Sequence, residues 1–104
     1  MTDLELLEAA ARAAGLRWSI ADLVFYDDSD GSFVKQWNPL TDDGDALRLA
    51  VRLNIWPVRA HGREAVFVQR GAAYWDEIAE CEIVGDPYAA TRRAIVLAAA
   101  EPEE

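Results

Sequence analysis

The sequence predicts one α+β domain: a mainly antiparallel sheet of four to five strands with three helices, in the order α-β-β-α-β-β-(β)-α, and helices on both faces of the sheet. Three observations predict it. Three stretches carry apolar residues at helical spacing, each opened by a capping signal. The stretches between them turn to strand-forming residues broken by Gly, Pro and Asx turns. A chain of 104 residues, about half of them hydrophobic, has room for one domain and a core, residues 1–104.

The first helix covers residues 2–14. Thr2 followed three positions later by Glu5 is a capping box, in which hydroxyl and carboxylate each satisfy a backbone N–H. Leu4, Leu7, Ala11 and Ala14 form a stripe with Leu6 and Ala10 beside it, its alanines suited to close packing against another element, and Gly15 supplies the left-handed stop. Leu23, Val24, Phe25 and Tyr26 then read as a strand, residues 32–37 as its partner, and Asp27-Asp28-Ser29-Asp30-Gly31 as the hairpin turn between. A calcium loop does not fit: with Gly31 as the sixth position, Tyr26 stands first and Trp37 twelfth, and with Gly44 as the sixth, Pro39 stands first and Ala50 twelfth.

Asn38 is held extended by Pro39. Thr41 or Asp42 caps a second helix whose first turn gathers acids at the positive end of its dipole. Its expected buried face is Leu47, Ala50, Val51 and Asn54, flanked by Ala46 and Leu53, with Asn54 as C-terminal cap. Residues 55–60 read as a strand that Pro57 confines to an edge or a strand start; His61-Gly62 turns into a second strand at 64–69. Residues 73–83 fit strand or helix, and the meander favours strand. Asp86-Pro87 opens the third helix, with Tyr88, Thr91, Ile95 and Ala98 as its stripe, widened by Ala94 and Leu97; Arg92 and Arg93 point elsewhere. Residues 101–104 are expected to be a frayed acidic tail.

Two of these segments resemble a known family. Trp37-Asn38-Pro39-Leu40-Thr41-Asp42-Asp43-Gly44-Asp45-Ala46-Leu47-Arg48-Leu49-Ala50 and Asp86-Pro87-Tyr88-Ala89-Ala90-Thr91-Arg92-Arg93-Ala94-Ile95-Val96 resemble the phage ABA sandwich domain family, as do the first helix and the spacing of the motifs; residues 55–85 do not match residue by residue. The resemblance implies a phage or prophage protein with helices on both faces of a sheet. It implies no activity and no catalytic residue.

Nineteen acids against ten bases give a formal charge of −9, which repels nucleic-acid phosphates and anionic lipid, so neither nucleic acid nor membrane is an expected direct partner. One cysteine, Cys81, cannot form an internal disulfide. With no signal-peptide pattern and no apolar run of membrane-spanning length, the expectation is a soluble protein of the bacterial host cytoplasm. His61 has no second histidine for a zinc set, Cys81 no activating neighbour, and no glycine-rich phosphate loop is present. A carboxylate pair from Asp42, Asp43 and Asp45 could do acid–base work, but helix capping accounts for the same residues. No cofactor or metal site is expected. Trp18, Trp37, Trp56 and Trp75 suit a core or a binding surface. The candidate interaction surface is Trp37, Asn38, Asp42, Asp43 and Asp45. The expected function is that of a non-catalytic phage or prophage accessory protein acting through protein–protein contacts, on an unknown phage or host protein or as a homodimer. The alternative is an acidic DNA mimic that inhibits a host DNA-binding or restriction enzyme, which needs the carboxylates in one continuous band.

Overall fold

The computed structural model describes residues 2–19, 24–27, 32–35, 37–70 and 77–101. The elements are α1 (Asp3–Ala13), β1 (Leu16–Ser19), β2 (Val24–Asp27), β3 (Ser32–Lys35), α2 (Asp43–Leu53), β4 (Ile55–Arg59), β5 (Ala65–Arg70), β6 (Glu77–Glu82) and α3 (Pro87–Ala100). The class is α+β, and every pairing among the described residues is antiparallel. Of the expected features, the tip of the 27–31 turn, Leu23, Trp75 and the tail beyond Glu101 lie outside the described residues.

The helix ends follow their local chemistry. Thr2 accepts the Glu5 N–H at 3.1 Å while the Thr2 N–H donates to Glu5 Oε1 at 3.2 Å, which is the capping box in full. Asn54 closes α2 in the left-handed conformation, φ 56 and ψ 47, one of the few side chains that tolerates it. Asp86 accepts the Tyr88 N–H at 2.9 Å beside Pro87 in the first turn of α3.

The single sheet of four to five strands is replaced by two three-stranded sheets, β1-β2-β3 and β4-β5-β6. Among the described residues no pairing joins β3 to β4, which are separated in the chain by the corner at residues 37–42 and by α2. The additional strand β1 is four residues long and follows directly on Gly15, whose φ of 77 turns the chain out of α1. Pro57 sits within edge strand β4 opposite Val68, where its missing N–H costs the sheet no interior bond. Residues 77–82 of the ambiguous 73–83 segment are strand, with a register slip at Val68/Gln69.

Helices on both faces of the sheet are also corrected. Helix α3 lies across β4, β5 and β6, and α1 and α2 pack on its flanks. The covered face carries Ile55, Val66 and Val68, all buried. The other face carries Trp56, Val58 and Phe67 among Gln69, Glu80 and Glu82, and no described helix packs on it. Alternation of this kind marks an antiparallel sheet with one face left to solvent.

The position of α3 sets its composition. A helix touched by two helices and a sheet needs no single stripe, and Ala90, Ala94, Ile95, Val96, Ala98 and Ala99 are buried around it. Ala10 and Ala11 of α1 and its C-cap Ala14 complete one core with Trp37, Leu49 and Ile55. Tyr88, expected in the buried stripe, is instead 69% exposed.

Candidate functional site

The corner at residues 37–45 was the expected interaction surface, and the structure makes it a brace. The Trp37 side chain is only 6% exposed and belongs to the core, so it is withdrawn from the surface. Asn38 turns the chain: its Oδ1 accepts the Leu40 N–H at 3.0 Å, and its carbonyl accepts the N–H groups of Thr41 and Asp42 at 3.2 and 2.9 Å. Of the two cap candidates Asp42 is the cap, accepting the Asp45 N–H at 2.8 Å. Asp45 is the one charged side chain buried among the described residues. It accepts the Asn38 N–H at 2.9 Å and an Arg48 N–H at 2.8 Å. Asp43 pairs with Arg92 at 2.7 Å, and Arg92 Nε donates to the Leu40 carbonyl at 2.9 Å. Arg92, read as pointing elsewhere, is the side chain that ties α3 to the corner.

These bonds fix the rotation of α2. With Asp45 turned inward toward Asn38, the buried face becomes Asp45, Ala46, Leu49 and Ala50. The expected face through Leu47 and Val51 is wrong by about one residue's rotation. Leu47 is 59% and Val51 57% exposed, one turn apart on the outside of the helix.

The exposure of Leu47 creates the feature that the sequence reading missed. A shallow groove between α2 and α3 is lined by Leu47, Ala46, Ala50, Ile95 and Tyr88, with Asp43 and Arg92 at one end and Pro57 of β4 beneath. It continues past Tyr88 and Thr91 toward Val66 and Arg59. The signal was present: Leu47 and Val51 are large and apolar on a helix that cannot bury both them and Leu49.

A second cleft, of about 370 Å³, opens at the C-terminal ends of α1, α2 and α3, lined by Arg12, Leu53, Ile55, Arg70, Ala98 and Glu101 among others. His61 is exposed in the turn between β4 and β5 and lines neither the groove nor this cleft. Cys81 is half-buried, its Sγ 3.6 Å from the Glu82 carbonyl. Among the described residues no three His, Cys, Asp or Glu side chains gather as a metal site, and no helix is long and apolar enough to cross a membrane. No family model matches the chain, and no curated protein or solved structure matches it.

Proposed function

We propose that this protein is a non-catalytic accessory protein that works by docking on another protein through the α2–α3 groove. The observation that carries the reading is the exposure of Leu47 and Tyr88 on an apolar groove, with Val51 exposed one turn further along α2. Apolar side chains held at a surface by well-capped helices are characteristic of interaction sites. The partner is a protein with a basic rim around an apolar ridge, because a chain of charge −9 attracts the opposite sign and repels a second copy of itself. The phage or prophage setting in a bacterial cytoplasm rests on the resemblance of the two motifs alone.

The acids of the corner and of the α3 cap give no comparable support to a DNA mimic. Asp45 is buried, Asp42 and Asp86 cap helices, and Asp43 is paired with Arg92. Capture from infected or lysogenic host extract, run in parallel with a Leu47→Ser/Val51→Ser/Tyr88→Ser variant, tests the reading. A protein retained by the native chain and lost with the variant is the expected result. Equal capture by both, or none by either, overturns it. Light scattering reports a self-association that would replace the heterologous partner by a second copy.

A further inference from the structure

We infer that the cleft at the C-terminal ends of the helices is a binding site for a small organic anion, a carboxylate on an apolar body. The inference starts from the fate of the arginines. Arg48, Arg59, Arg63, Arg92 and Arg93 are each in an ion pair, as expected where acids outnumber bases nineteen to ten. Arg52 is also engaged. Among arginines with described side chains, that leaves Arg12 and Arg70 without a hydrogen bond or ion pair, and both line the same cleft.

Two unpaired guanidiniums in so acidic a chain are unusual in one place. They come from different elements, Arg12 from the last turn of α1 and Arg70 from the end of β5. A helix C-terminus favours a nearby cation, which accounts for Arg12 but not for an arginine on a strand. Between them the floor is apolar, formed by Leu53, Ile55, Ala98 and Ala99. Glu101 is the one acid among the described lining residues, and the two guanidiniums also offset the partial negative charge of the helix C-termini there. The planar guanidinium fork matches a carboxylate better than a point charge would, and the volume of about 370 Å³ lies in the range that holds small ligands. An apolar body on Ile55 and the alanines with its carboxylate beside Arg12 and Arg70 uses the apolar floor and both arginines.

Titration with octanoate, followed residue by residue by amide NMR, tests this site, with 1-octanol and acetate as controls. Octanoate is expected to shift amides around Ile55, Arg70 and Ala99 and to bind about tenfold or more tighter than either control. Arg12→Gln and Arg70→Gln each weaken it about tenfold, while Arg70→Lys restores part of the affinity. Neither arginine holds a partner, so both variants retain the native circular dichroism spectrum. Octanol binding as tightly as octanoate, shifts confined to other surfaces, variants that bind as the native chain does, or an affinity weaker than about 10 mM would each overturn the site. Because the cleft lies apart from the α2–α3 groove, loss of either site leaves the other standing.

Discussion

The backbone N–H of Asn38 donates to the carboxylate of Asp45 at 2.9 Å, joining the start of the corner to the first turn of α2 across seven positions. Asp45 has few substitutes, since the same carboxylate holds Arg48 and sits at the buried edge of the helix. Replacing it by alanine leaves a part-buried N–H without an acceptor, which costs roughly 1–3 kcal/mol. Urea unfolding of Asp45→Ala should show a lowered midpoint at unchanged slope. Asp45→Asn, which keeps one acceptor oxygen, should lose less.

The same residue separates what the sequence disclosed from what it hid. Thr2 with Glu5, Asn54, and Asp86 with Pro87 are local signals, because each cap is satisfied within a few residues of itself, and all stand where the sequence places them. The rotation of α2 was not local: Leu47 and Leu49 are equally apolar, and the choice between them rests on where Asp45 finds its donor. Likewise Arg92 reads as a solvated arginine until the Leu40 carbonyl, 52 positions away, is beside it. Trp37 next to acids reads as a surface aromatic, while its burial comes from its place in the core cluster, which no local pattern announces. The apolar groove escaped notice because it is made of side chains expected to be inside.

Arg92 offers a second test of the corner. Its side chain is 17% exposed, whereas its partner Asp43 is 73% exposed. The Asp43 carboxylate is therefore well solvated, and exposed pairs contribute little. The bond from Nε to the Leu40 carbonyl is the stronger restraint on the packing at this joint. Arg92→Ala is expected to cost about 1–2 kcal/mol, and Asp43→Ala less than about 1 kcal/mol. If the Asp43 variant proves the more damaging, the ion pair rather than the carbonyl bond holds α3 to the corner.

Helix α3 gives the sharpest packing prediction. Ala94 is fully buried where α3 meets its neighbours, and there is no room for added methylenes without moving a helix. Ala94→Leu should destabilise by about 1–3 kcal/mol, read from thermal or urea unfolding. Val84→Ala, on an exposed loop residue, is the control expected within about 0.5 kcal/mol of the native chain.

The two leucines of α2 should behave oppositely. Leu49 is among the most buried side chains and Leu47 is 59% exposed. Leu49→Ala creates a core cavity and is expected to cost about 2–5 kcal/mol. Leu47→Ser and Val51→Ser are expected to change stability by no more than about 0.5 kcal/mol, which is what makes them usable probes of docking. Comparable losses at Leu47 and Leu49 would restore the helix face read from periodicity alone and remove the groove.

Glu5 supplies the pH dependence. Its carboxylate accepts the Thr2 backbone N–H and then the Thr2 hydroxyl, and these bonds hold its pKa below the ordinary 4.5. A carboxyl with a depressed folded-state pKa contributes stability above its unfolded value, and that contribution is lost as pH falls through the folded value. The group is fully exposed, so the effect is read best as a titration. Glu5 observed by carboxyl NMR should show a midpoint under 4.5 in the native chain. In Thr2→Ala the hydroxyl is gone while the backbone N–H remains, so the midpoint should rise part of the way. An unchanged midpoint in Thr2→Ala would mean that the hydroxyl does not hold the carboxylate in solution.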